Sequence, residues 1–428
     1  MSSDFTYSVA RSLSMRISRE ILTVFGLWII LSSMVASAAD FALGIYGNAN
    51  MDDAVDDQDI AFVKDVLSGA KSATNLTDAN YDGKIDEKDI DQINQIIDGT
   101  EKKLVVQDDA GDAVAIDMPV ASAITGDRSH AEAVRAIKAT DKIIAVTKGI
   151  KDQPVFFPEL SKLPSVASEY GKDPDYEKIL QLKPSLYLTS PPASVSEDKK
   201  NLPEVAVLSL RLYEPAGFEE RVLKLGYIFD KRKEAEKYIQ WHDDVIDDIR
   251  DKIKKSPQQS LPKLLLISIY DSGVINVHTN RSGAGQILAE IGVKTLGDTL
   301  MGTHPELDPE WVLSQDPQVI LLFGFPESVI RGYNIDDYSM MKAYREEFMN
   351  DSRFRNTDAV KKGRVFLLDS KSMSYSGSYI IGIAYMTKMF YPELFLDMNP
   401  QEINQEYLRF QGLDYDLAKH GAFAYPSL

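Results

Sequence analysis

The sequence contains no cysteine in its 428 residues. The chain therefore forms no disulfide, holds no iron–sulfur cluster, and offers neither a thiolate nucleophile nor a thiolate ligand for zinc. Basic residues are also in deficit: 47 lysines and arginines stand against 65 aspartates and glutamates, for a formal net charge of −18. Because such a chain repels a phosphate backbone, nucleic acid is excluded as its main partner.

One apolar run stands out near the start of the sequence, from Ile21 to Leu31. Three arginines between residues 11 and 19 precede it, and Ala-Ser-Ala at 36–38 follows it. This order is typical of an export signal, although the 19 residues from Ile21 to Ala39 are also almost enough to anchor the chain in a bilayer. The sequence predicts that residues 1–39 are a signal peptide or a membrane anchor, and that the rest lies outside the cytoplasm, either anchored or secreted.

Residues 40–100 are strongly acidic, with fourteen acids against four lysines and therefore a net charge of −10. Oxygen-bearing side chains recur at positions 1, 3, 5, 9 and 12 of two loops, and position 7 supplies a backbone carbonyl. The ligand sets are Asn48, Asn50, Asp52, Asp56 and Asp59 with the carbonyl of Ala54, and Asp78, Asn80, Asp82, Asp86 and Asp89 with the carbonyl of Lys84. Converging oxygen ligands suit Ca²⁺, so the spacing predicts two calcium ions.

Each loop precedes a helical pattern, and the pair resembles a dockerin module over residues 43–99. That resemblance implies two bound calcium ions and docking to a cohesin-type domain of a partner. Asn48 at position 1 and Asp53 at position 6 depart from the family pattern, whereas the second loop has Gly83 at position 6. We therefore expect the first site to be the weaker one.

From residue 101 onward, short apolar runs alternate with helical patterns, which predicts an α/β fold with parallel sheets. The predicted strands are 143–146, 186–188, 205–208, 264–269, 319–322 and 365–368. Between them, residues 218–255 read as one or two long helices. The predicted domains are a module at 40–100, an N-terminal lobe at 101–216, a linking helix at 217–258 and a C-terminal lobe at 259–428.

An internal repeat supports the two lobes. Residues 175–188 align without gaps to residues 308–321, which lie 133 positions later. Each copy predicts a short helix that begins at an aspartate N-cap, ends at a proline and leads into a buried strand.

The chain from residue 102 resembles the substrate-binding proteins of ABC importers for iron–siderophore complexes, haem and cobalamin. The resemblance is carried by the opening 104–119, by 142–149, by 163–166 with the first repeat, by the long helix, by Arg281-Ser282-Gly283-Ala284-Gly285 and by the segment 379–395. It implies two Rossmann-like lobes joined by a rigid helix, with a metal–organic ligand between them. It also implies that Glu177 and Glu310 dock onto arginines of the permease.

Ligand residues are expected where parallel strands end, at their carboxyl edge. The candidates in the first lobe are Asp127, Arg128 and Thr147. Those in the second lobe are Tyr270, Arg281 and Tyr375. Arg281 precedes a predicted helix start, where its charge and the helix dipole would act on one anion, and it is expected to contribute most to binding an anionic ligand.

The leading hypothesis is a non-enzymatic receptor that serves a membrane permease. The alternatives are a dockerin-tethered surface hydrolase and a surface scaffold. The sequence lacks a Gly-x-Ser-x-Gly elbow, a His-Glu-x-x-His zinc pair and a glycine-rich phosphate loop, and we expect no catalytic cofactor. Paired carboxylates of glycosidases leave no short motif, so the hydrolase stays open at this stage.

Overall fold

Two five-stranded sheets form the centres of two α/β lobes in the computed structural model, which describes residues 41–168, 172–190, 192–257, 261–271, 274–373 and 376–428. Ala42 to Leu428 belong to one compact unit. The predicted export segment, residues 1–39, lies outside the described residues. Within the described ranges, no helix has both the length and the apolarity needed to cross a bilayer.

Two short helices follow the two acidic loops, as the sequence predicts. They are α1 (Asp57–Leu67) and α2 (Glu87–Asp98), and each begins at an aspartate N-cap, Asp56 or Asp86. In both helices the N-cap and the third helical residue form a capping box, which satisfies two backbone N–H groups that the first turn would leave unpaired.

A hairpin connects this loop–helix segment to the first lobe. Its antiparallel strands are β1 (Lys103–Gln107) and β2 (Ala113–Asp117). Ile45 forms an isolated antiparallel bridge to Val106, and the Gly44 carbonyl accepts a hydrogen bond of 2.8 Å from the Gln107 amide. Backbone contacts therefore cross the domain boundary that the sequence predicts at residue 100.

The first lobe is built on an all-parallel sheet. Its strands are β3 (Ala123–Thr125), β4 (Ile143–Thr147), β5 (Ser165–Ala167), β6 (Leu186–Thr189) and β7 (Ala206–Ser209). Its helices are α3 (Arg128–Ala136), α4 (Lys148–Lys151), α5 (Tyr176–Leu182) and α6 (Pro192–Asn201). The strand order is β5-β4-β3-β6-β7, and Ile124, Ala145 and Tyr187 are among the buried residues of its core.

Two helices link the lobes, α7 (Phe218–Ile228) and the 24-residue α8 (Arg232–Lys255). The buried face of α8 follows the three- and four-residue spacing that a helix requires. Its buried residues are Ala235, Tyr238, His242, Ile246, Ile249 and Ile253.

The second lobe has a mixed sheet with antiparallel strands at its two edges. Its strands are β8 (Leu264–Asp271), β9 (Val274–Val277), β10 (Val319–Leu322), β11 (Val365–Leu368) and β12 (Ala424–Tyr425). Its helices are α9 (Gly283–Glu290), α10 (Pro309–Gln315), α11 (Ser339–Asn350), α12 (Asp358–Lys361), α13 (Tyr379–Phe390) and α14 (Pro400–Phe410). The order is β12-β11-β10-β8-β9, and only the β8–β10 and β10–β11 pairs are parallel.

The two copies of the predicted repeat have the same local structure. Asp175 and Asp308 cap α5 and α10 by accepting backbone hydrogen bonds. The helices end at Lys183 and Asp316, which adopt left-handed conformations with φ of 49° and 48° directly before a proline. The α/β, two-lobed prediction is confirmed, and the six predicted strands differ from the observed ones only at their ends.

Candidate functional site

The first wall of the candidate site begins where β3 ends. A Cβ on Gly126 would lie 2.4 Å from the Leu188 carbonyl oxygen, so only glycine fits this turn. Asp127 then caps α3 and accepts a 3.1 Å hydrogen bond from the His130 amide and others from the Ser129 and Ser190 hydroxyls. Burial alone would raise the pKa of Asp127, but His130 and the two hydroxyls hold that pKa below its usual value.

Arg128 projects from the first turn of α3. Its guanidinium lies 4.9 Å from the centre of the Phe156 ring, donates 2.8 Å to Gln153 Oε1, and pairs with the buried carboxylate of Glu132. Burial opposes the charge on this guanidinium, yet the neighbouring Glu132 raises the pKa of Arg128. Arg128 is therefore a fixed cation packed against an aromatic ring.

The opposite wall comes from loops that follow β10 and β11. Arg331 donates 3.0 Å from Nε to Asp369 Oδ1 and lies 4.5 Å from the centre of the Phe325 ring. Asp369 also accepts a 2.6 Å hydrogen bond from the Ser372 hydroxyl. Farther out, Lys371 Nζ lies 2.6 Å from Glu327 Oε1.

A cavity of about 370 Å³ lies between these two walls. Both lobes line it, and six of its side chains are charged: Arg128, Asp152, Glu327, Arg331, Asp369 and Lys371. A cavity of this volume, at the carboxyl ends of strands from two α/β lobes, is the usual form of a small-molecule site.

Tyr333 joins the two walls. Its ring lies 4.7 Å from that of Phe156, centre to centre, so a residue of the second lobe packs directly on one of the first. The Tyr333 hydroxyl is buried and has no hydrogen-bond partner within the described part of the chain. Since a buried hydroxyl normally finds a partner, this unpaired group marks a place where a water or a ligand atom would complete the hydrogen bonding.

The lobes are also fastened to each other behind the cavity. Glu132 on α3 accepts a hydrogen bond from the Tyr407 hydroxyl on α14. Arg135, also on α3, donates 2.7 Å to Gln411 Oε1, and Gln411 Nε2 donates 3.2 Å to the Glu132 carbonyl. Burial lowers the pKa of Arg135 to about 10, which still leaves it charged at neutral pH. These buried contacts oppose any wide opening of the cleft.

The predicted ligand residues do not all lie at the cavity. Arg128 lines the cavity, and Asp127 lies beside it as the cap of α3. Thr147 is fully buried at the end of β4, and its hydroxyl has no partner among the described residues. Tyr375 lies outside the described residues.

The other two predicted residues do not line this cavity. Tyr270 is buried in the core of the second lobe, where its ring lies 4.9 Å from that of Phe348 and its hydroxyl donates 3.0 Å to Asp351 Oδ2. Burial and this hydrogen bond raise the pKa of Tyr270 to about 12. Arg281 is exposed, and its guanidinium contacts the Met301 sulfur at 3.9 Å.

Sequence reasoning missed Tyr333, Arg331, Asp369 and Lys371. Asp369 directly follows β11, so the rule that ligand residues follow strands could have found it. Tyr333 lies about ten residues beyond β10, and no local sequence pattern predicts that its loop folds back over the cleft.

The two acidic loops share one hydrogen-bonding scheme. In the first, Asp59 accepts hydrogen bonds from the backbone N–H groups of Asn50, at 3.0 Å, and Asp56, at 2.9 Å. In the second, Asp89 accepts 3.2 Å from the Asn80 amide and 2.9 Å from the Asp86 amide. The residue at position 4 is left-handed in both loops, although only the second has a glycine with positive φ at position 6.

Asp59 and Asp89 are both fully buried. Burial raises the pKa of Asp59 to about 6 and also raises the pKa of Asp89. A cation held between each buried carboxylate and the remaining loop oxygens would remove this electrostatic cost. The donor chemistry and the loop geometry therefore fit the predicted calcium ions.

The loop–helix segment is docked onto the linking helix α7. The Val55 amide donates 3.0 Å to the Tyr227 hydroxyl, and the Gly44 amide donates 2.9 Å to Glu220 Oε1. At the start of α8, Arg232 donates 3.2 Å to the Ile97 carbonyl. Contacts from both loop–helix units thus hold the segment against the binding lobes.

The two predicted permease contacts are placed alike. Glu177 and Glu310 are exposed in the first turns of α5 and α10, the equivalent helices of the two lobes. Within the described residues, neither carboxylate forms an ion pair with a lysine, arginine or histidine. Both are therefore available to a cationic partner.

Comparisons with known proteins agree with this architecture. The profile of the family described as "Periplasmic binding protein" matches residues 124–372, more than half of the chain. The petrobactin-binding protein YclQ of Bacillus subtilis strain 168 is 26% identical over 224 residues, which cover 51% of this chain and 64% of that relative. The match thus spans less than two thirds of the relative's length.

Solved structures show the same fold. The TroA-like periplasmic binding protein FepB of Veillonella parvula is 15% identical, with a TM-score of 0.62 over 75% of this chain and 98% of its own. The crystal structure of YclQ is 18% identical, with a TM-score of 0.54 over 69% of this chain and 99% of its own.

Proposed function

Because the chain belongs to the periplasmic binding protein family, we propose that it is a non-catalytic receptor that binds an iron–siderophore complex between its lobes and delivers it to an ABC permease. The observation that carries the proposal is the cavity of about 370 Å³, lined from both lobes at the carboxyl ends of strands. The export pattern in residues 1–39 supports a location at the outer face of the cytoplasmic membrane or the cell surface.

The chemistry of the cavity favours a hydrophilic iron chelate over haem or cobalamin. Its lining contains six charged side chains, whereas a haem macrocycle needs a broad apolar surface. Arg331, Lys371 and the Tyr333 hydroxyl offer donors to the anionic oxygens of a ferric complex. The name of the Bacillus subtilis relative, a petrobactin-binding protein, points to the same ligand class.

The cations of the cavity are each matched by a carboxylate, so the empty site is not basic overall. Arg331 faces Asp369, Lys371 faces Glu327, and Arg128 faces Glu132. An anionic ligand would have to compete with these carboxylates. Glu327 is the most exposed of them and is the one a ligand displaces at least cost.

The function is tested with a ligand panel on the full chain. Ferric petrobactin, a ferric hydroxamate, haem and cyanocobalamin are titrated while tryptophan fluorescence and thermal unfolding are recorded. A receptor gains stability from one of them by RT ln(1 + [L]/Kd), whereas a scaffold gains none. A hydrolase would instead turn over a glycan or peptide substrate in the same preparations.

Two variants locate the ligand. Tyr333→Phe removes only a hydroxyl that has no partner among the described residues, so it should weaken ligand binding about 2- to 12-fold, the contribution of one hydrogen bond, and leave stability unchanged. Arg281→Ala removes an exposed guanidinium outside the cavity and serves as the control. If Arg281→Ala weakens binding and Tyr333→Phe does not, the ligand lies elsewhere and the sequence-based assignment of Arg281 is the better one.

We further propose that the two acidic loops bind two calcium ions, and that the permease is contacted through Glu177 and Glu310. The shared scheme of hydrogen bonds in the loops supports the first proposal, and the matched exposure of the two glutamates supports the second. A cohesin-type partner would meet a segment already docked on α7, so its binding surface would be the solvent-facing sides of α1 and α2. Surface plasmon resonance with a cohesin, with and without a chelator, tests that partner.

A further inference from the structure

A histidine and two carboxylates converge at the junction of the linking helices. His242 Nδ1, on α8, lies 3.0 Å from Asp243 Oδ1 and 3.6 Å from Glu219 Oε1, which projects from the first turn of α7. The three ligand atoms all lie within 4.8 Å of one another. None of these residues lines the cavity proposed for the ligand.

The imidazole is held in a fixed orientation. His242 is 1% exposed, and its ring packs on that of Phe218 with 4.6 Å between ring centres. Nε2 lies 2.5 Å from the Tyr379 hydroxyl on α13. When Nε2–H donates to that hydroxyl, the lone pair of Nδ1 faces the two carboxylates. Histidines that bind metals are typically oriented by such a contact at their other nitrogen.

The distances suit one metal ion. Nitrogen and oxygen ligands bind zinc-like ions at about 2.0–2.2 Å, which places ligands at neighbouring positions about 3–3.5 Å apart. The observed 3.0 and 3.6 Å are close to those separations. A small movement of the side chains would complete the geometry.

The charges at the junction also call for a cation. In the described part of the chain, neither Glu219 nor Asp243 is paired with a lysine or an arginine, so two carboxylates face one imidazole without a compensating cation. Both side chains remain partly accessible, at 26% and 41%. An ion could therefore enter from solvent and keep water at its remaining positions.

We propose that Glu219, His242 and Asp243 form a binding site for a divalent transition-metal ion of the Zn²⁺ or Mn²⁺ class. One imidazole nitrogen with two carboxylates suits these ions, whereas Ca²⁺ takes six to eight oxygen ligands. The ion joins α7 to α8 and, through Tyr379, both helices to the second lobe. It is a resident ion, separate from the cargo in the cleft and from calcium in the acidic loops.

The test uses the full chain without siderophore, stripped of metals and then given excess calcium so that the acidic loops are occupied. Zn²⁺ is titrated by calorimetry, and Co²⁺ is added as an optical probe of nitrogen and oxygen ligation. Glu219→Gln and Asp243→Asn should each weaken Zn²⁺ binding about 100-fold or more. Tyr379→Phe, which loosens the imidazole, should weaken it about 10-fold.

Asp244→Asn is the matched control. Asp244 is the next residue on α8, is exposed, and bonds only Gln240 among the described residues, so this change removes the same charge without touching the cluster. It should leave the Zn²⁺ affinity unchanged. The proposal is overturned if the wild-type chain binds no Zn²⁺ at micromolar concentrations, or if Glu219→Gln and Asp243→Asn behave like Asp244→Asn. Because no siderophore is used, the result does not depend on the proposed receptor function.

Discussion

Removing the negative charge of Glu327 should make the cleft a better receptor for anions. The Lys371 ammonium and the Glu327 carboxylate are 2.6 Å apart at the mouth of the cavity, and their side chains are 43% and 79% exposed. The hydrogen bond from Lys371 lowers the pKa of Glu327 below its usual value, so the carboxylate is charged at neutral pH. Glu327→Gln releases the ammonium to a ligand.

The size of the effect follows from the exposure of the pair. An exposed ion pair contributes about 0.2–1 kcal/mol of stabilisation. An anionic ligand that binds Lys371 breaks the pair with Glu327 and loses this contribution. Glu327→Gln should therefore tighten binding of an anionic ferric complex about 1.5- to 5-fold. Stability should change by less than about 0.5 kcal/mol, since the substitution is on the surface. Lys371→Met should weaken binding of the same complex.

Fluorescence titrations with ferric petrobactin, repeated at rising salt, measure these changes. Screening by salt should shrink the difference between wild type and Glu327→Gln, because the groups involved are exposed. Cyanocobalamin has no net negative charge, so its affinity for the wild type and for Glu327→Gln should be the same. Equal affinity of both proteins for the anionic complex, or tighter binding of cyanocobalamin by the variant, would refute the electrostatic reasoning.

Four further predictions concern parts of the molecule outside the cleft. Glu177→Ala and Glu310→Ala should leave ligand affinity intact but reduce uptake through the permease, measured in transport assays; a loss of affinity in proportion to uptake would contradict docking. Chelation of calcium should lower the free energy of unfolding of the whole described unit by about 2.7 kcal/mol for each of the two sites, relative to calcium at 100 times the Kd of that site, and calorimetry with and without chelator would show no change if the loops bind no calcium. Asp78→Ala should reduce calcium affinity more than Asn48→Ala, since only the second loop combines a carboxylate at position 1 with a glycine, Gly83, at position 6. Tyr227→Phe leaves the Val55 amide unpaired and should cost about 1–3 kcal/mol in denaturant unfolding; no change would mean that the docking contact is not stabilising.

The fold was largely predictable because its signals are local. Apolar runs of four residues predict strands such as β10. An aspartate N-cap at one end and a proline at the other predict α5 and α10, whose last residues are followed by a left-handed residue. The acidic loops were recognisable for the same reason, since all of their ligands lie within twelve residues.

The cleft was less predictable because long-range packing assembles it. Arg281 was expected to bind ligand from its place before a helix, yet the structure leaves it exposed beside Met301. Tyr270 lies at the end of a strand, as the rule for ligand residues requires, but its side chain is in the core. There its ring packs on Phe348 and its hydroxyl donates to Asp351. Tyr333 reaches the cleft only because its loop folds back onto Phe156, a contact between residues 177 positions apart.

The buried contacts of α3 with Tyr407 and Gln411 bear on how a permease could sense cargo. A receptor whose halves swing together reports its load through a change of shape. Here the halves are already joined, so loaded and empty forms should scatter X-rays almost identically, and little binding energy is spent on reorganisation. If the proposed function holds, a permease would then distinguish the two forms by the loops that line the cleft, where a bound ligand changes the local charge and surface shape.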